Sequence, residues 1–202
     1  RLLAQIRRAK EFGIRSASAE FDFADIMERV QRVVKTIEPH DSVERYTGLG
    51  VECLSGEAKI TSPWTVEVKT AGGDARTLTT RAIVIAAGAR PFVPPIPGIE
   101  EVGYVTSDTV WELRQLPKRL IVLGGGPVGS ELTQCFARLG SQVTQVEMLP
   151  RILIREDPEI SGMVLRQFSK EGIKVLVNHK ARRFAIENGE KALYCEIEGR
   201  EV

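Results

Sequence analysis

Residues 120–139 read LIVLGGGPVGSELTQCFARL, four apolar residues running through three glycines into an amphipathic segment. Within it the spacing Gly124-x-Gly126-x-x-Gly129 gives each glycine a mechanical task. The first allows a tight turn, the second lets a pyrophosphate approach the backbone, and the third lets a helix pack closely on a strand. Gly125, Pro127 and Val128 complete the turn, and the helix that follows aims free N–H groups at an anion. Its apolar positions Val128, Leu132, Cys135, Phe136 and Leu139 are expected to form the face that packs on a sheet. The stretch is read as a dinucleotide cradle.

Downstream, the segment VTQV (143–146) is expected as the next strand. A helix capped by Asp157, with Pro158 at its first position and Gly172 at its close, should follow, and then a strand IKVLV (173–177). Strand, glycine turn, helix, strand, helix, strand is the βαβ pattern of a parallel sheet. The second strand runs into Glu147, 18 positions after Gly129, near the ~20 expected of an acidic residue that binds a ribose. A carboxylate there accepts from both ribose hydroxyls of NAD and repels the 2′-phosphate of NADP, so NAD is expected over NADP. Two alternatives stay open: a solvated glutamate at a strand end, and Arg151, whose guanidinium can pair with that phosphate. A closing hairpin is expected from RRFAI (182–186) and KALYCEI (191–197) around Asn188-Gly189.

Upstream, RLLAQIRRAKEFG starts directly in helical spacing and stops at Gly13. A long amphipathic helix is expected between Asp22 and Pro39. Its stripe of Phe23, Ile26, Met27, Val30, Val33, Val34 and Ile37 is read as core packing rather than a cofactor box. The period then shortens to a meander of VECL (51–54), EAKI (57–60), WTVEVK (64–69) and RTLTT (76–80). The run Ile83–Ile85 has the β-branched continuity of a strand buried in a parallel sheet. Pro91, Pro94, Pro95 and Pro97 stiffen a connector, and Ser107 is expected to cap a short helix that ends before Pro117.

The 202 residues, 43% hydrophobic, are enough for a substantial core. A formal charge of +1 from 28 basic and 27 acidic residues, well mixed, makes no case for nucleic acid as a partner. The longest apolar run, Ala82–Ala89, is under half the ~20 residues of a bilayer span. Cys53, Cys135 and Cys195 form no paired motif and are read as structural, which suits a reducing, cytoplasmic setting. His40 and His179 are read as solvated and too far apart in sequence for a metal site. With Arg1 already in helical spacing, a piece of a longer chain is expected.

Three segments taken together resemble a known family: IVIAAGARPFVPPIPG (83–98), GGGPVGSE (124–131) and VEMLPRILIREDPEIS (146–161). They resemble the class I pyridine nucleotide-disulfide oxidoreductases, in particular the mercuric reductase and dihydrolipoamide dehydrogenase branch. The resemblance runs nearly from end to end. It implies an FAD domain with an NAD(P) domain inserted into it, and a homodimer joined through a C-terminal domain that lies outside these residues. It further implies hydride transfer from nicotinamide to flavin, with electrons then passing to a disulfide or metal-ion acceptor.

By the same resemblance, Ala86, Ala87 and Gly88 match the Ala-Thr-Gly segment that lies against FAD, with alanine here in place of the threonine. Ala58 matches a backbone contact to the FAD adenine, and Gly124 through Gly129 bind the NAD(P) pyrophosphate. Glu131 matches a glutamate between nicotinamide and flavin, although an acidic residue early in a helix is also favoured by the dipole alone. Ala181 falls near a main-chain contact to the NAD adenine. The family's first glycine fingerprint for FAD, its C-x-x-x-x-C disulfide and its C-terminal His and Glu pair have no counterpart between Arg1 and Val202, so no catalytic residue is assigned.

The expected fold is α/β, parts of two Rossmann-like domains with parallel sheets plus a β-meander. Residues 1–118 would be part of an FAD domain and residues 119–202 part of an NAD(P) domain. A flavoprotein NADH oxidase or ferredoxin-reductase-like enzyme, and a non-catalytic dinucleotide-binding module, are the alternatives.

Overall fold

A computed structural model describes every residue from Arg1 to Val202. The chain opens with α1 (Leu2–Arg7) and a 3-10 turn at Ala9–Phe12 that ends on Gly13 at φ 77°, as its sequence suggests. The long helix α2 (Phe23–Ile37) and α3 (Val43–Gly48) lead into the meander β1 (Glu57–Ser62), β2 (Thr65–Lys69) and β3 (Ala75–Thr79). After α4 (Ile99–Val102) come β4 (Arg119–Leu123), α5 (Pro127–Leu139), β5 (Gln142–Val146), α6 (Pro158–Lys170) and β6 (Lys174–Leu176). The chain closes with β7 (Lys180–Glu187), β8 (Glu190–Ile197) and β9 (Arg200–Glu201).

Three sheets result: an antiparallel β1-β2-β3, a parallel β4-β5-β6, and an antiparallel β7-β8-β9. This is the mixed α/β architecture expected. In the parallel sheet β5 is central, with Leu120 opposite Val143 and Val122 opposite Gln145. The chain crosses that sheet twice in the same direction, so right-handed crossovers put α5 and α6 on one face. Asn188 at φ 52° and Gly189 at φ 80° make the tight turn between β7 and β8 that their sequence predicts.

Packing divides the chain into two units, Arg1–Arg29 with Pro91–Val202, and Val30–Arg90. In the first unit Phe23, Met27, Val110, Phe136 and Val143 form one buried cluster, and Ile152, Phe168 and Ile173 form another. Phe23 and Phe136 meet with ring centroids 6.0 Å apart. Phe23 and Met27, from the start of α2, therefore pack in one cluster with Phe136 of α5. The second unit holds the meander, in which Val68 is buried and the Arg76 guanidinium pairs with Glu52 at 2.7 Å.

Several local expectations fail, each for a physical reason. Ile83–Ile85 forms no strand, and Val84 and Ile85 are 88% and 76% exposed. A parallel strand needs ladder partners, and β1–β3 and β4–β6 pair only among themselves. Val51–Leu54 is also irregular, so Cys53 lies outside any strand and is exposed. On α2 only Phe23 and Met27 are buried, whereas Val33, Val34 and Ile37 face solvent. An amphipathic stripe states that a helix wants an apolar neighbour, not that one is at hand.

Ser107 does not cap a helix. The Thr106 N–H donates to Thr109 Oγ1 at 2.9 Å and the Asp108 N–H to Thr106 Oγ1 at 3.2 Å, ahead of a short 3-10 turn at Val110–Glu112 that no side chain caps, and Ser107 supplies only its carbonyl, to the Trp111 indole at 2.7 Å. On α5 the buried positions are Ser130, Thr133 and Phe136, with Leu132 and Leu139 packed beside them. Val128 and Cys135, assigned to that face from the sequence, are exposed. The face that packs carries Ser130, whose hydroxyl accepts from Gln145 Nε2 in β5, and Thr133 and Phe136 follow on the same side at helical spacing.

Candidate dinucleotide site

The cradle is built at the end of the parallel sheet where β4 turns into α5. Gly124 takes φ 108°, a value that L side chains rarely adopt, and this sharp turn brings Gly126 to the N-cap of α5. Pro127 occupies the first helical position, where its missing N–H costs nothing. No side chain caps the helix, and its first internal bond runs from the Ser130 N–H to the Gly126 carbonyl at 2.9 Å. The N–H groups of Val128 and Gly129 are thus left at the positive end of a thirteen-residue helix.

The remaining glycines separate by what a Cβ would meet. At Gly126 it would meet nothing within 4 Å, so the space above that residue is open to a ligand. At Gly129 it would lie 2.5 Å from the Gly124 carbonyl oxygen, which is the close helix–strand approach that only glycine permits. At Gly125 it would lie 2.8 Å from Ile152 and 3.0 Å from the Glu147 carboxylate, so this glycine too is held against protein.

Glu147 follows the last residue of β5 and is half-buried beside the turn. Its Oε2 accepts from the Gly125 N–H at 2.6 Å and its Oε1 from the Leu149 N–H at 2.7 Å. Each oxygen keeps a second lone pair, so the carboxylate is oriented and still able to accept from hydroxyls. The Arg151 guanidinium is committed elsewhere. It donates to the carbonyls of Leu153 at 3.2 Å, Ile154 at 2.8 Å and Glu156 at 2.8 Å, tying up the loop before α6.

The start of β7 is brought to the same end of the sheet. The Asn178 N–H donates to the Leu149 carbonyl and the His179 N–H to the Glu147 carbonyl, both at 3.0 Å. Ala181, half-buried and opposite Cys195, therefore lies two residues from a peptide bonded to Glu147. His179 is not simply solvated: it is half-buried, with Nδ1 2.6 Å from the Val177 carbonyl. Glu131 is exposed on the second turn of α5, outside the first turn where the dipole acts most strongly.

Ala58, Ala86, Ala87 and Gly88 belong to the other unit. Ala58 lies on β1 opposite Val68 and is exposed, and Ala86–Gly88 is an exposed extended run with Gly88 at φ 70°. No enclosing wall stands around these four residues.

Sequence reasoning passed over two contributors. Gln145, fully buried, donates from Nε2 to the Gly124 carbonyl at 3.0 Å and to the Ser130 hydroxyl at 3.2 Å. Ile152, also fully buried, fills the space beneath Gly125, and the next peptide N–H, that of Leu153, donates to the Gly125 carbonyl at 2.7 Å. The signal for Gln145 was present, a lone amide between Val143 and Val146 in the central strand of a parallel sheet.

The model of the pyridine nucleotide-disulphide oxidoreductase family matches residues 7–201. The chain is 32% identical over 188 residues to a mercuric reductase of Bacillus cereus, covering 93% of this chain and 29% of that protein. It is 33% identical over 195 residues to a dihydrolipoyl dehydrogenase of Chlorobaculum tepidum, covering 96% of this chain and 41% of that one. The chain thus spans about a third of the length of these relatives.

Among solved structures, LpdA from Mycobacterium tuberculosis superposes with a TM-score of 0.76 at 23% identity, covering 100% of this chain and 44% of that one. The HOCl-induced flavoprotein disulfide reductase RclA from Escherichia coli does so with a TM-score of 0.64 at 24% identity, covering 100% and 42%. At these identities the likeness concerns the fold. The family match over residues 7–201 decides the relationship: the chain belongs to the pyridine nucleotide-disulphide oxidoreductases, a family that uses FAD and NAD(P)H.

Proposed function

We propose that this chain is the part of an FAD-dependent pyridine nucleotide-disulfide oxidoreductase that receives NADH. The observation that carries the reading is the division of labour among the glycines: open space at Gly126, where a pyrophosphate would lie, and closed packing at Gly125 and Gly129. The free N–H groups at the start of α5 would hold the pyrophosphate, and the oriented Glu147 carboxylate would accept from the ribose hydroxyls. The redox chemistry belongs to the cofactors, a hydride passing from nicotinamide to flavin and its two electrons passing from the flavin to a disulfide or metal-ion acceptor.

The residues of this chain bind, orient and exclude. Glu131 would stand on the nicotinamide side of the cradle, and Ala181 would offer main-chain contact to the adenine. Ala58 and Ala86–Gly88 would line one side of the FAD. Because these four are exposed and few, most of the FAD enclosure would come from residues outside the 202. The division into an FAD part over residues 1–118 and an NAD part from residue 119 follows the cofactor each would hold, whereas packing groups the chain differently. The whole protein would be a homodimer in the cytoplasm, and no helix here is long and apolar enough to cross a membrane.

Arg151 favours NADH as well. A guanidinium with three of its five N–H groups on carbonyls is held to its own loop, and turning to a 2′-phosphate would cost those bonds. In the full-length protein NADH should be preferred over NADPH by about tenfold or more, and Glu147→Arg should flatten or reverse that ratio. Equal or better use of NADPH by the wild type would overturn the role of Glu147.

A further inference from the structure

The peptide that joins Gly124 to Gly125 is gripped at both ends from one strand. Its carbonyl accepts from Gln145 Nε2 at 3.0 Å, and its N–H donates to Glu147 Oε2 at 2.6 Å. Residues 145 and 147 lie two apart along an extended segment, so their side chains leave on the same side. This peptide is the one whose rotation would re-aim the glycine turn, because Gly124 at φ 108° and a neighbouring glycine put little steric restraint on it. Sterics leave the plane free, and the two side chains fix it.

We propose that Gln145 is a positioning residue for dinucleotide binding: with Glu147 it locks the Gly124–Gly125 peptide so that Gly126 presents its open backbone to the pyrophosphate. The inference rests on the cradle's being a dinucleotide site. The burial ledger supports it. Gln145 is fully buried, yet its Oε1 has no hydrogen-bond partner, and neither has the buried Thr133 Oγ1 on the facing helix. An orphaned amide oxygen in a parallel-sheet core is a cost that methionine, of similar length, avoids. What methionine cannot do is donate to the Gly124 carbonyl, which lies close under Gly129 and has no other donor. Ser130 does not need the amide in the same way, since a hydroxyl can turn to other acceptors.

Gln145→Met therefore separates positioning from packing. It removes one orphan, the amide oxygen, and creates another, the Gly124 carbonyl, so the melting temperature should move by only a few degrees. NADH affinity should fall about tenfold, the equivalent of about 1.4 kcal/mol, when titrated calorimetrically into the full native chain. In steady state the KM for NADH should rise while kcat stays within about twofold, since the peptide holds the cofactor and touches no reacting atom. Ser130→Ala, which spares the bond to Gly124, should leave NADH affinity near that of the wild type.

Gln145→Met binding NADH within about twofold of a wild type that itself binds would overturn the role of Gln145. A wild type that does not bind NADH would overturn the dinucleotide reading instead. Should the variant fail to fold, a crystal structure of the wild type with NADH decides. Gln145 Nε2 on the Gly124 carbonyl supports the clamp, and a peptide turned away from it overturns the proposal.

Discussion

Gly129 lies directly over the carbonyl of Gly124, so that a methyl group at 129 would come within 2.5 Å of that oxygen, while one at Gly126 would meet nothing. Two glycines of one motif are thus required for different reasons. Gly129→Ala must lever α5 away from β4 and should destabilise the fold by about 2 kcal/mol as an overpacking change. Gly126→Val should leave thermal unfolding almost unchanged and yet abolish NADH binding, because its isopropyl group fills the ligand's space. Calorimetric titration and melting curves on both variants check this, and NADH affinity retained by Gly126→Val would refute the placement of the pyrophosphate.

Arg151 braces the loop that carries Ile152 beneath the cradle. Arg151→Ala leaves the carbonyls of Ile154 and Glu156 without their donor, while that of Leu153 keeps the Glu156 N–H at 2.9 Å, and should destabilise by about 1 kcal/mol, lowering the use of NADH and NADPH in the same proportion. If the guanidinium instead read a 2′-phosphate, the loss would fall on NADPH alone. Kinetics with both cofactors separate the two outcomes.

Glu171 joins the two helices behind the cradle. It accepts from Arg138 on α5 at 2.7 and 2.9 Å, and from Gln134 at 3.2 Å and Gln167 at 2.6 Å, with the pair's side chains 26% and 16% exposed. The hydrogen bond from Arg138, opposed by burial, holds the Glu171 carboxyl below the usual glutamate value of about 4.5. A carboxyl lowered in the folded state stabilises at pH above its unfolded value and loses that contribution as pH falls through the folded one. Stability should therefore decline below about pH 4.5, and Glu171→Gln should flatten this acid limb while lowering stability at pH 7. Denaturant unfolding at pH 3.5 to 7 measures it, and an unchanged acid limb in the variant would assign the decline to other carboxyls.

The three cysteines should differ in reactivity. Cys53 and Cys135 are exposed, whereas Cys195 is buried in the hairpin sheet and burial pushes its thiol up. Alkylation of the native protein followed by peptide mass spectrometry should label Cys53 and Cys135 first and Cys195 only on unfolding. Early labelling of Cys195 would mean that the β7–β8 sheet opens readily.

Much was legible because it depends on neighbours in sequence. The glycine spacing at 124–129, Pro158 at a helix start, and Asn188-Gly189 at the hairpin each specify a backbone conformation within a few residues, and each appears where expected. Periodicity located α2 and β4–β6 for the same reason. It failed for Ile83–Ile85 and for Val33, Val34 and Ile37, whose burial requires a partner that local pattern cannot supply.

By itself, then, the sequence determined the βαβαβ order, the turn at Gly124 and the presence of an acidic residue at the end of β5, all consequences of backbone sterics and of short-range spacing. Only the tertiary structure decided that Glu147 grips the Gly125 N–H, that Arg151 donates to three carbonyls of its own loop, and that Gln145 reaches the Gly124 carbonyl across 21 positions of chain. The physical reason is directional: a hydrogen bond exists only at short distance and in line. Which donor meets which acceptor is therefore fixed when separate segments are packed together, a step that no periodicity encodes.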